Sequence, residues 1–184
     1  GSFNALTYTG SAQTPVASVT IDGLTATGTW SPVTDVNDKT TFTANGNFTG
    51  TIAEQSTGMA KATPTVTAPV AKASLIYNTS ALALADEGST TGGTMQYSPD
   101  NATWSNDVPT GTNAGDYTVY YKVVGNSNYN DVAAQSIFVS IANADMSDIT
   151  ADGYNRVFDN QTHTISVNIP EGASIKYGIT EGTY

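Results

Sequence analysis

The sequence has no cysteine and few charged residues, and both absences limit what the chain can do. Without cysteine there is no disulfide framework, zinc–thiolate site or thiol nucleophile. Charged residues make up 12% of the chain, against about 25% in typical soluble domains. Lys and Arg together number 6 and the net charge is −10. Because neutralising phosphates requires clustered basic residues, we expect no nucleic-acid partner.

Long apolar runs and helical periodicity are missing as well. No run of 18 apolar residues exists, so no membrane span is expected in this chain. No window repeats apolar residues at the spacing of a helical face over three turns. β-Branched and aromatic residues alternate with polar ones instead, and the 10 Tyr argue against disorder. The sequence therefore predicts a folded, all-β chain.

Three segments of the chain begin alike, which indicates internal repeats. Tyr8, Tyr77 and Phe158 are each followed by a polar turn and a return to alternation. A Gly-Asn turn occurs late in the first two segments, and short Ala-rich connectors separate the three. The predicted boundaries are residues 3–62 for a short first repeat, 63–146 for a second repeat and 147–184 for the N-terminal part of a third.

The second repeat has about seven short strands separated by frequent turn signals, the pattern of a β-sandwich. Its predicted strands are residues 63–70, 74–77, 81–85, 93–98, 103–105, 116–124 and 133–141. In the strand at 116–124, Val119 and Tyr121 are expected on one face and Tyr120 and Lys122 on the other.

The other two repeats are predicted to be less complete. The first has expected strands at residues 19–21, 25–30, 39–44 and 49–53. The third has an expected strand at residues 173–177 but no later strands. Because an incomplete sandwich leaves an unpaired edge, this part is either cut from a longer array or pairs with another chain.

Four stretches of the second repeat closely resemble the MBG-type bacterial immunoglobulin-like repeats. They are LIYNTS at 75–80, TGGTMQYS at 91–98, PTGTNAGDYTVYYKVVG at 109–125 and NYND at 128–131. The resemblance is shorter in the first repeat, at 8–15 and 46–50, and in the third, at 158–177. It implies tandem immunoglobulin-like β-sandwiches, about two and a half repeats, in a secreted or cell-surface protein. It also implies stalk, spacer and adhesion roles without catalytic residues.

Residues that could carry catalysis have simpler interpretations. His163 is the one histidine, so it cannot form a two-histidine metal site or a relay, and a strand position explains it. Glycoside hydrolysis needs two carboxylates facing each other across a cleft. Asp86 with Glu87, and Glu171 with Glu181, are instead expected to be solvated loop acids. We predict that the chain is not an enzyme and needs no cofactor.

Metal binding and cross-linking are the next alternatives. The loops at 35–38 and 126–131 offer oxygen ligands for calcium, but neither has the EF-hand spacing, and turn formation explains their Asn and Asp residues. A Lys–Asn cross-link beside a buried acid is disfavoured for Lys122 because that side chain is expected to face solvent. No metal site is therefore predicted.

Exposed aromatic residues are the main candidates for ligand contact. Trp104, Tyr120 and Tyr129 could form a sugar-stacking platform, although aromatic pairs also stabilise sheets without a ligand, and Trp30 and Trp104 are favoured as core anchors. We predict a spacer or stalk whose partners are neighbouring repeats. The alternative is a module that binds carbohydrate or a host protein.

Overall fold

The computed structural model describes residues 2–147, 149–151, 155, 157–169 and 172–177. The regular elements in these ranges are strands, and none of the described residues is helical. The strands are β1 Thr20–Ile21, β2 Leu24–Thr25, β3 Gly28–Trp30, β4 Lys39–Ala44, β5 Thr51–Ser56, β6 Val66–Thr67, β7 Val70–Ala71, β8 Leu75–Ile76, β9 Leu82–Ala83, β10 Ala85–Asp86, β11 Ser89–Thr90, β12 Thr94–Ser98, β13 Thr110–Gly111, β14 Gly115–Val124 and β15 Val132–Ala142. The predicted all-β class is confirmed, and the arrangement is consistent with a β-sandwich.

A four-stranded sheet organises the central part of the chain, residues 63–146. Its strand order is β12-β14-β15-β8, with β14 antiparallel to both neighbours and β8 parallel to β15. Along β14, Val119, Tyr121 and Val123 are buried, whereas Tyr120 and Lys122 are half-buried on the other face. The predicted two faces of this strand are therefore confirmed, and the buried face fixes the register.

A second layer of short ladders covers the buried face of the four-stranded sheet. It consists of the pairs β7 with β10, β6 with β11 and β9 with β13. Pro69 lies between β6 and β7, and because proline has no N–H to donate, the ladder breaks there. Leu84 of this layer packs into the buried cluster. The buried members of the cluster are Leu84, Met95, Tyr97, Val119, Tyr121, Val123, Val139 and Ile141.

The N-terminal part, residues 2–62, has a three-stranded sheet in the order β3-β4-β5. Strand β4 occupies the predicted residues, and its Thr40 and Phe42 are buried. The Trp30 ring lies 4.8 Å from the Phe3 ring and 5.1 Å from the Phe42 ring, measured between centroids. Trp30 is half-buried and lies outside the buried clusters, so it belongs to an aromatic group with Phe3 and Phe42 and is not the core anchor that was expected. A second small cluster contains Leu6, Val33 and Met59.

Two predicted strands are absent. Residues 103–105 form only one bridge, between Ser105 and Tyr97. The Asp100 carboxylate accepts the N–H groups of Ala102 and Thr103 at 2.9 and 2.7 Å, so the chain before Ser105 is held in a turn. The prediction of a strand at 173–177 is wrong. In the described residues beyond 146 the only pairing is the bridge between Ala151 and Val167. Alternation alone does not make a strand when no neighbouring strand supplies the hydrogen bonds.

Candidate functional site

The loop between β14 and β15, residues 125–131, connects the central part to the N-terminal part. Asn128 Nδ2 donates a hydrogen bond to Asp35 Oδ1 at 2.7 Å, and Asn128 Oδ1 accepts one from the Val36 N–H at 3.0 Å. The Asn128 side-chain amide therefore forms hydrogen bonds with two consecutive residues of the N-terminal part, as donor to one and as acceptor from the other.

The backbone of the same loop pairs with the connector that follows β5. The Ala62 N–H donates to the Asn128 carbonyl at 2.9 Å, and the Asn130 N–H donates to the Ala62 carbonyl at 2.8 Å. The Lys61 ammonium donates to the Asn126 carbonyl at 2.8 Å. The loop thus adds to the connector as a short strand would, which fixes both position and direction.

An aromatic contact completes this set of interactions, which we name the joint. The Tyr129 ring lies edge-on to the Tyr8 ring, with centroids 5.2 Å apart and planes at 76°. Such pairs contribute about 0.5–1.5 kcal/mol beyond the area they bury. The Tyr129 ring also covers Gly92, where an added Cβ would lie 2.2 Å from ring atoms. The joint is defined by Tyr8, Asp35, Val36, Lys61 and Ala62 on one side and the 125–131 loop on the other.

Local hydrogen bonds hold both sides of the joint in shape. In the loop, Asn126 Oδ1 accepts the N–H groups of Asn128 and Tyr129 at 2.9 and 3.1 Å. On the other side, Asp38 Oδ2 accepts the N–H groups of Thr34 and Asp35, each at 2.8 Å. These backbone donors, Asp35 first, lower the pKa of Asp38 below its ordinary value of 3.8.

The two loops that offer oxygen ligands for calcium, residues 35–38 and 126–131, therefore lie on opposite sides of the joint. Several of their oxygens accept hydrogen bonds from backbone N–H groups, as turn-forming residues do. Among the described residues, no group of three or more His, Cys, Asp or Glu side chains is placed to hold a metal ion.

The outer face of the four-stranded sheet carries a separate group of aromatic side chains. The Lys122 ammonium lies 4.1 Å from the centroid of the Trp104 ring, a cation–π contact. Tyr120 lies on the same face as Lys122, between Ser98 of β12 and Ser136 of β15. Phe138 lies opposite Thr118 and is 77% exposed. We name Trp104, Tyr120 and Phe138, with Lys122, the outer aromatic face.

This arrangement separates the three aromatic residues proposed from the sequence. Trp104 and Tyr120 belong to the outer aromatic face, whereas Tyr129 packs in the joint. The expectation that Trp104 anchors the core is wrong, because the half-buried ring lies over Lys122 and outside the buried cluster. Phe138 was missed, although the alternation of Ile137 and Val139 places it outward.

The acidic residues considered for catalysis do not form a facing pair in the described residues. Asp86 pairs with Lys72, while Glu171 and Glu181 lie outside the described residues. His163 is exposed and lies in no strand, contrary to expectation. Its Nε2 is 2.7 Å from Asp159 Oδ1, and this hydrogen bond is the main cause of the lowered pKa of Asp159.

The described residues contain no helix that is both long and apolar enough to span a membrane. Comparison of the chain with protein-family models, with curated proteins and with solved structures finds no match.

Proposed function

We propose that this chain is a non-catalytic spacer made of tandem immunoglobulin-like repeats of the MBG type, carried on the outside of a bacterial cell or secreted. The observation that supports it best is the joint. Asn128 and Tyr129 of the central part contact residues of the N-terminal part that are distant in sequence. A connector alone leaves two repeats free to swing, whereas side-chain contacts across it hold one orientation.

Matching backbone pairings support a repeat relationship between the two parts. The Tyr8 N–H donates to the Ala60 carbonyl at 3.0 Å, and the Tyr77 N–H donates to the Ala142 carbonyl at 2.9 Å. In both parts this pairing is parallel: Ala60 lies four residues beyond the end of β5, and Ala142 is the last residue of β15. The Gly-Asn turns at 46–50 and 125–131 likewise connect the last two strands of each part.

The joint gives a spacer its mechanical property. In a linear array each repeat contacts its neighbours only, so the geometry of one joint sets the shape of the whole array. The joint uses hydrogen bonds from backbone, amide and ammonium groups that tolerate water at its edge. A stalk with such joints projects whatever lies at its far end and supports adhesion without binding anything itself.

Residual dipolar couplings in solution test this proposal. We expect the N-terminal and central parts to share one alignment tensor, and Asn128→Ala to produce two different tensors. Asn106→Ala is the matched control, because Asn106 is exposed and lies outside the joint. Different tensors in the unmodified protein would overturn the proposal that the joint is stiff.

The second candidate function is carbohydrate or host-protein binding through the outer aromatic face. The observation that favours it is the 77% exposure of Phe138 on the same sheet face as Tyr120. Aromatic rings flanked by the hydroxyls of Ser136 and Thr118 suit the apolar and polar faces of a sugar ring. A glycan array and a host-protein pull-down, each compared with Phe138→Ala, test it; equal signals for the two proteins would reject this site.

A further inference from the structure

We propose that the central part carries a second acceptor surface, equivalent to the N-terminal side of the joint, which binds the Gly-Asn-x-Asn-Tyr-Asn loop of a following repeat of the same kind. Its residues are Tyr77, Asn113, Ala114 and Ala144. This inference rests on the proposed spacer function. The proposed partner binds the central part at residues that take no part in the joint.

The backbone pairing of Tyr77 and Ala144 corresponds to that of Tyr8 and Ala62 on the N-terminal side of the joint. Tyr77 matches Tyr8, since each N–H donates to the carbonyl of an alanine in a parallel pairing close to the C-terminal end of its part. Those alanines are Ala142 and Ala60. Two residues further along the connector, Ala144 therefore matches Ala62, the residue that exchanges two backbone hydrogen bonds with the 125–131 loop.

A second backbone pairing shows which residues of the central part correspond to the polar turn at Asp35 and Val36. Val33 forms an antiparallel bridge with Gln13, and Gly111 forms the matching pair with Leu82. The turn that receives the Asn128 amide begins two residues after Val33. Two residues after Gly111 stand Asn113 and Ala114, which offer a side-chain acceptor and a backbone N–H in the same order as Asp35 and Val36.

The backbone groups of Ala144 are available on this surface. Within the described ranges, the N–H and carbonyl of Ala144 have no backbone partner, whereas both groups of Ala62 are used in the joint. Strand β15 ends at Ala142, so the connector continues as an unpaired edge. Such an edge accepts an added strand or loop with little rearrangement.

The chain that follows the connector already reaches this surface. An added Cβ at Gly172 would lie 3.0 Å from the Tyr77 hydroxyl and 2.4 Å from the Thr79 methyl group. Tyr77 is thus contacted from the C-terminal side of the connector, as Tyr8 is contacted by Tyr129. The occupant that fits is a loop with the sequence of residues 125–130, because those residues satisfy the matching acceptor.

Amide hydrogen exchange on a fusion protein tests the inference. The fusion is residues 1–144 followed by residues 63–184, so that the copied Thr63 follows Ala144 as Thr63 follows Ala62 and the C-terminal segment of the original chain is kept. We expect the Ala144 amide to exchange at least tenfold more slowly in the fusion than in the original chain. Asn128→Ala in the added copy should restore fast exchange, and Asn106→Ala in that copy should not.

The Ala62 amide in the same spectra keeps the two proposals apart. Fast exchange at Ala144 with slow exchange at Ala62 would overturn this inference and leave the proposed function intact. Fast exchange at both would overturn both.

A second measurement applies if the added copy does not fold. Tyr8→Ala with Ala62→Pro in the full chain frees its loop, and we expect concentration-dependent association in sedimentation that Ala144→Pro abolishes. A monomer at all concentrations would count against the acceptor surface.

Discussion

Asn128 and Asp35 share a hydrogen bond of 2.7 Å although 93 residues separate them in the sequence. Both belong to turns that their own neighbours hold in shape, so the side chains meet without a large loss of conformational freedom. The contact is exposed, which limits its energy but not its geometric effect. The joint therefore acts through direction and register more than through buried area.

A double-mutant cycle measures this contact. Asn128→Ala and Asp35→Ala should each lower the free energy of unfolding, and the double variant should lower it by less than the sum. We expect a coupling energy of about 0.5–1.5 kcal/mol, as for a typical hydrogen bond, because water can replace either partner. Urea unfolding of the four proteins gives the value, and strictly additive effects would show that the pair does not couple.

Gly92→Ala should open the joint from within the central part. Its added methyl group would occupy the position of the Tyr129 ring, 2.2 Å away, and the ring would have to leave Tyr8. Ring-proton shifts of Tyr8 report the loss in an NMR spectrum. Tyr129→Phe is the control, since it keeps the ring and should leave those shifts nearly unchanged. Retention of the Tyr8–Tyr129 contact in the Gly92→Ala variant would contradict the packing described.

Leu84→Ala tests whether the two layers share one core. Leu84 is 1% exposed and packs with side chains of the four-stranded sheet, so its truncation should cost about 2–5 kcal/mol. Leu24→Ala is the matched control: Leu24 is 63% exposed, and the change should stay within about 0.5 kcal/mol. Thermal unfolding distinguishes the two, and similar losses would argue against the layered core.

Local patterns predicted the strands better than the contacts between them. Alternation placed Val119 and Tyr121 inward and Tyr120 outward, because one side of that sheet is buried. It failed at residues 173–177, where the required neighbouring strand is absent from the described residues. The joint could not be predicted, since no sequence signal brings Asn128 to Asp35. Its loops were recognised as rich in oxygen ligands, and those oxygens serve turns and the joint instead.

Acid should destabilise the fold partly through Asp100. The N–H groups of Thr103 and Ala102 and the Ser98 hydroxyl hydrogen-bond its carboxylate, which lowers the pKa of Asp100 far below the ordinary value of 3.8. A carboxylate with a lowered pKa in the folded state adds stability above the unfolded pKa, and this stability is lost as the pH falls.

The Asp100→Asn variant should therefore lose less stability in acid than the unmodified protein. Between about pH 5 and pH 2, stability of the unmodified protein should fall more steeply than that of Asp100→Asn, because only the former has this carboxylate to protonate. Ser98→Ala removes the hydroxyl donor and keeps the two backbone N–H donors, so it should give an intermediate slope. Urea unfolding at a series of pH values measures the three slopes. Because Asp38, Asp145 and Asp159 also have lowered pKa values, the difference between proteins isolates Asp100 from the shared acid response. Identical slopes for the unmodified protein and Asp100→Asn would show that this turn does not hold its carboxylate ionised.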